Sequence, residues 1–258
     1  MKKLLLTILI MFSCFIVGCD ASVKDPCADG HDWEDATLTE PKTCKVCGET
    51  KGKPLSANQT IATLQKAFDE IAELNFTVDI VGTTYTSTAG EDAVGIEATA
   101  KGIYAKDKIL ITSVNSGMTS QIYYELVGDT VTMWNGNGTK WNNIGEVSTE
   151  AFDIDFSQNP LSNVTTDMFK FKNGVWVGDC DKLEELYKAQ IENQYMTSTI
   201  TIDKYNVTLD SNGHIKTLDM IMSINLVYGE QSLSMKEVSV YTYSKIGKTT
   251  LERPEGIE

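Results

Sequence analysis

The sequence is short of the residues that most enzymes and nucleic-acid binders depend on. Its 258 residues include two histidines, His31 and His214, and a single arginine, Arg253. No G-x-S-x-G elbow, H-E-x-x-H helix or glycine-rich phosphate loop occurs, so the common signatures of hydrolases and nucleotide-using enzymes are missing. Basic residues are outnumbered as well, leaving a net charge of −14. That excess argues against nucleic acid and against adsorption to anionic headgroups. Cys180 sits between Asp179 and Asp181, whose charges raise its pKa and blunt it as a nucleophile. Asp153, Asp155, Asp179 and Asp181 lack the spacing of a calcium-binding loop. His214 follows an Asn-Gly turn signal, with no partner legible near it. A non-catalytic protein is the expectation.

One long apolar run is present, Leu4 to Val17, and it is too short to span a bilayer. Lys2 and Lys3 precede it and Gly18-Cys19 closes it, the layout of a secretory signal. The ending Ile16-Val17-Gly18-Cys19 resembles a bacterial lipobox, in which the cysteine thiol is acylated and becomes the new N-terminus. The resemblance implies a signal peptide over 1–18, lipidation at Cys19 and a linker over 19–26. It also implies an extracytoplasmic protein, lipid-anchored to the cell membrane. Two acyl chains suffice for stable anchoring, and the acidic chain would leave attachment to the lipid alone. The arginine shortage and the lipobox together point to a low-GC Gram-positive source.

With Cys14 lost and Cys19 acylated, Cys27, Cys44, Cys47 and Cys180 remain. Four exported cysteines can form two disulfides, with Cys27 joined to Cys44 or Cys47. The local spacing supports a second reading. Cys44-x2-Cys47-Gly48 is a knuckle that presents two sulfurs to one ion, and Cys27-x3-His31 offers the other half of a Cys3His zinc site. So short a piece has no core of its own and would fold on metal binding. The segment His31-x-Trp33, Ala36-Thr37, Pro41-x-Thr43-Cys44-x2-Cys47-Gly48-x-Thr50-x-Gly52 resembles a short Cys/His repeat of Gram-positive surface proteins. Leu38 stands where that repeat has a cysteine, so Cys27 would supply the missing sulfur. The expectation is a zinc-ribbon-like module over 27–53 holding one structural zinc through Cys27, His31, Cys44 and Cys47, with no open position for a substrate water.

A larger domain is expected over 56–258. Following Ser56, apolar residues Ile61, Leu64, Phe68, Ile71 and Leu74 form one stripe of an amphipathic helix. Short β-rich runs then follow, from Phe76 to Trp134, separated by turn signals such as Asn115-Ser-Gly117 and Gly128-Asp129. An irregular stretch from Ser148 to Phe171 with one short helix precedes a second amphipathic helix, opened by Asp181 and carrying Leu183, Leu186, Tyr187 and Ile191. Strands over 199–209, 215–227 and 233–243 close the chain. Helix, meander, helix, meander is an α+β order with a large antiparallel sheet.

This order resembles the bacterial lipoprotein-carrier superfamily of LolA-like and LppX/LprG-like proteins, over about residues 56–254. The hairpin Tyr123-Tyr124-x3-Gly128-Asp129-x-Val131, leading to Trp141, and the sequence Asp210-x2-Gly213-x-Ile215 before Tyr243-Ser-x-Ile-Gly247 carry the resemblance. It implies a curved antiparallel half-barrel with helices packed across the concave face. In one strand Leu218, Met220, Met222, Ile224, Leu226 and Tyr228 all fall on one face. That stripe is either core beneath the helices or a lipid-binding wall, and methionine suits ligands of varied shape. Leu218, Met220, Met222, Ile224 and Leu226 are thus the candidate ligand-binding residues for a lipid or other amphipathic ligand. The competing expectation is a module that binds another envelope protein and keeps its hollow filled.

Overall fold

A computed structural model describes residues 26–28, 30–34, 36, 40–56, 59–88, 93–149, 159–191, 197–228 and 231–257. The expected signal peptide, the lipidation site Cys19, Leu38, Asp153 and Asp155 lie outside the described residues. The chain divides into two compact units, Met1–Leu55 and Ser56–Glu258. Among the described residues no helix is long and apolar enough to cross a membrane.

The first unit is a three-stranded antiparallel sheet of β1 (Trp33–Glu34), β2 (Lys42–Cys44) and β3 (Thr50–Lys51), in that order. Pairing sets Trp33 opposite Cys44 and Thr43 opposite Thr50. Between β2 and β3 the chain reverses at Gly48, whose φ of +74° is a left-handed conformation that glycine adopts without a Cβ penalty.

The second unit is built on eleven antiparallel strands. β4 (Asn75–Thr88), β5 (Val94–Ala105), β6 (Lys108–Asn115), β7 (Met118–Val127), β8 (Thr130–Gly136) and β9 (Trp141–Ser148) form a meander in sequence order. β10 (Phe169–Lys172), β11 (Val175–Gly178), β12 (Thr197–Leu209), β13 (Ile215–Tyr228) and β14 (Gln231–Ser244) form a second one. The two join because β14 pairs with β4, so the sheet runs β10-β11-β12-β13-β14-β4-β5-β6-β7-β8-β9. Consecutive strands β9 and β10 therefore stand at opposite edges. In a flat sheet ten interstrand spacings would separate them by about 48 Å. Curvature shortens that path, and the connecting segment is the part of the chain that must travel it.

Two helices cover one face of this curved sheet. α1 (Ile61–Ala72) buries Leu64, Ala67, Phe68 and Ile71, a 3-1-3 spacing that keeps one stripe inward. Its N-cap is Thr60, whose hydroxyl accepts from the Thr63 amide at 3.2 Å, a few residues beyond Ser56. α2 (Cys180–Ile191) buries Leu183 and Tyr187. α1 packs on β4 and β13, and α2 on β12.

The core lies between helices and sheet. Pairing register aligns one inward face across the strands: Val207 with Leu218, Leu218 with Tyr241, Tyr241 with Ile80, and Phe76 with Tyr104. Gly102 lies on this face next to Tyr104, and an added Cβ would come within 2.6 Å of that ring. Its missing side chain is what lets the phenol lie against the sheet and stack on Phe76 at 4.4 Å. His214 is not solitary: its Nδ1 lies 2.5 Å from Glu70 of α1, which also meets Lys66 at 3.7 Å. The β12–β13 turn is thereby tied to the helix.

Candidate functional site

Two places in the described residues bring chemistry together, one in each unit. In the first, Cys27, His31, Cys44 and Cys47 converge so that their ligand atoms all lie within 4.8 Å of one another. Cys27 Sγ is 3.6 Å from Cys44 Sγ, and Cys47 Sγ is 3.4 Å from His31 Nδ1. Around a tetrahedral zinc, bond lengths of about 2.3 Å to sulfur and 2.0 Å to nitrogen give edges of about 3.8 and 3.5 Å. The two separations therefore match the spacing of ligands around one ion, and all three cysteines carry free thiols. The cluster could hold a metal ion.

Local structure prepares the ligands unequally. Backbone amides of Cys47 and Val46 point at the Cys44 sulfur, and with help from His31 they lower its pKa to about 6 against the opposing effect of burial. Burial, then the neighbouring Cys47 and Cys44 thiols, pushes the Cys27 thiol up to about 12. Cys44 is thus ready as a thiolate, whereas Cys27 needs a cation beside it to release its proton. His31 offers Nδ1 to the cluster because its Nε2 meets Glu49 at 3.3 Å, and its ring lies against Trp33 with centroids 4.9 Å apart. A carboxylate on the far nitrogen fixes ring orientation and tautomer. Glu49 was invisible to spacing arguments, since any residue after Gly48 fits the motif.

In the second unit a cavity of about 650 Å³ opens beside α1. Its floor is Ile109, Tyr124 and Val131 of β6, β7 and β8, with Phe68 of α1 and Leu161 and Val164 of the segment that crosses from β9 to β10. All six are buried. The rim is of opposite character: Gln65 and Asp69 of α1, Lys106 and Asp107 at the β5–β6 turn, and Asn163 and Thr165 of the crossing segment are all exposed. An apolar floor under a polar mouth, at this volume, is the form of a small-molecule site.

Three contacts hold the crossing segment in place. The buried carbonyl of Pro160 accepts from the hydroxyls of Tyr187 at 2.6 Å and Tyr205 at 2.5 Å, and the two hydroxyls are 3.0 Å apart. Burial raises both phenols well above their ordinary range, so they stay protonated donors. Thr166 donates to Gln65 at 3.4 Å. Lys182 donates to the Asp167 carboxylate at 2.9 Å and, with Thr165, holds that carboxyl below the usual range.

The sequence stripe lies on the same inward face as the cavity floor but not in the cavity. Leu218, Met220, Met222 and Ile224 are packed in the core beneath the helices, and Leu226 is half-buried at its margin. None of the five lines the cavity. Cys180 opens α2, and its thiol is raised by burial, then by Glu184, Asp179 and Asp181.

No family model and no curated protein matches the sequence. Among solved structures, a Vibrio parahaemolyticus domain provisionally assigned as an outer membrane lipoprotein-sorting protein is similar over 77% of this chain and 96% of its own, at 10% identity and a TM-score of 0.30. A DUF1329 family protein from Desulfovibrio piger is similar over 73% of this chain and 92% of its own, at 11% identity and a TM-score of 0.31. The ywiB protein of Bacillus subtilis is similar over 66% of this chain and 92% of its own, at 7% identity and a TM-score of 0.22.

Proposed function

We propose that this chain is a surface lipoprotein of the bacterial envelope, anchored through Cys19, whose large domain binds a lipid or other amphipathic ligand without catalysis. The observation that carries the reading is the polarity gradient of the 650 Å³ cavity, with a buried apolar floor and an exposed polar mouth. An acyl chain would lie on Ile109, Tyr124 and Val131 and leave its head at the rim. The resemblance to lipoprotein carriers and the lipobox-like ending support the same reading. Leu218, Met220, Met222, Ile224 and Leu226 continue the same apolar inward face, and we propose them as an extension of the ligand surface beyond the cavity. The first unit serves as a structural zinc module, its four ligands closing the coordination sphere.

Native mass spectrometry of protein extracted gently from cells tests the reading, with a displaceable fluorescent fatty acid as the second readout. A bound lipid mass, and loss of dye binding in the cavity-filling variant Val131→Trp, are the expected results. Absence of both lipid and dye binding in the native chain refutes it. The outer face would then become the functional surface for an envelope protein partner, since Val81 and Val240 pair there and are 62% and 41% exposed.

A further inference from the structure

Granting that the cavity beside α1 takes an acyl chain, we infer that it selects chains carrying an uncharged polyol head, an ester of glycerol or of a sugar, over anionic lipids. Charge at the mouth decides this. Asp69 from α1 and Asp107 from the β5–β6 turn line the opening, and among the described lining residues Lys106 alone offsets them. The chain around them is itself strongly acidic, at −14. A phosphate or carboxylate head would enter against this excess, a repulsion that water and salt at the exposed mouth weaken with rising ionic strength.

The remaining rim groups match hydroxyls. Ser162 and Asn163 carry a hydroxyl and an amide, groups that both donate and accept as sugar and glycerol hydroxyls do, while Gln65 and Thr165, already donating to Asp69 and Asp167, can still accept. The two carboxylates add acceptors that hydroxyls can satisfy and that a phosphate cannot. The Gln65 amide donates to Asp69 at 2.9 Å, which orders that carboxylate at the mouth. The floor beneath is common to any acyl chain, so the discrimination rests on the rim alone.

The test keeps the chain constant and changes the head. Displacement of an uncharged fluorescent fatty-acid methyl ester from the full mature protein is measured with 1-monooleoylglycerol, sucrose monooleate and oleoyl lysophosphatidylglycerol, each below its micelle concentration. At least tenfold tighter binding of one of the neutral esters than of the phosphatidylglycerol is expected. A preference for the sugar ester assigns a glycolipid, and a preference for the monoglyceride assigns a neutral glycerolipid. The double variant Asp69→Asn with Asp107→Asn should narrow the gap at least threefold by strengthening the anionic lipid. Equal or tighter binding of the anionic lipid, abolished by Lys106→Gln, would overturn the inference and make Lys106 the head-group ligand. Failure of all three probes to displace the dye would overturn it together with the acyl-chain reading, whereas a head preference of the wrong sign leaves that reading standing.

Discussion

Removing the hydroxyls that converge on Pro160 should reveal a shared acceptor through its non-additivity. Tyr187 and Tyr205 are 0% and 1% exposed, and both donate to one buried carbonyl. A carbonyl has two acceptor sites, so either phenol alone can keep it satisfied. Each single change, Tyr187→Phe or Tyr205→Phe, therefore removes one net hydrogen bond and should cost about 1 kcal/mol. The double variant also leaves the carbonyl orphaned in the core, a further penalty of about 1–3 kcal/mol. Its expected cost is about 3–5 kcal/mol, exceeding the sum of the singles by an interaction energy that a double-mutant cycle isolates. Urea unfolding followed by tryptophan fluorescence gives all four stabilities. Because Leu161 and Val164 ride on the same segment, dye binding in the cavity should weaken in parallel. A double variant whose cost equals the sum of the singles would refute the shared-acceptor account.

Protein purified without chelator should carry one zinc ion per chain, lost in Cys44→Ser. Glu49→Gln should keep that stoichiometry but lower zinc affinity by about 10- to 100-fold in chelator competition, because the charged partner of His31 is gone; an unchanged affinity would remove Glu49 from the site. Cys180 should alkylate slowly at neutral pH, and its rate should rise only as pH climbs past the range of an ordinary thiol, since a raised pKa leaves less thiolate below it. Peptide mapping after timed iodoacetamide exposure reads this directly. Equal rates in native and denatured chains near pH 7.5 would contradict it.

Local pattern made some of this protein legible and left other parts hidden. β13 could be read because its even positions from Leu218 to Ile224 alternate without interruption, and alternation of period two is a property of single strands. Its neighbour β12 hid its face. The register shifts between Ile202 and Lys204, so the buried positions change from even (Ile200, Ile202) to odd (Tyr205, Val207). A reader counting by twos loses the stripe at Asp203. β10 and β11 are four residues each, too short for periodicity to register. The metal ligands were legible because their spacing is covalent, a matter of how far a short chain can reach. The cavity was not, because its walls come from α1, β6 to β8 and a segment whose course is set by which sheet edges it must connect. His214 and Glu70 are 144 residues apart, and nothing local to either announces the other.

The seam between β14 and β4 governs when this protein can exist as a folded molecule. Thr77 and Ser244 meet across 167 residues, and within the sheet the second meander joins the first through this pairing. A chain delivered N-terminus first, from a ribosome or through an export channel, exposes the long edge of β4 from the outset. Its partner is among the last residues to emerge. Until then the edge is an open template for pairing with other chains, and closing so long a loop is slow as well as late. Synthesis or export that stalls before residue 231 should therefore yield a species that aggregates, and β4 should be the last strand of the first meander to gain protection from hydrogen exchange during refolding.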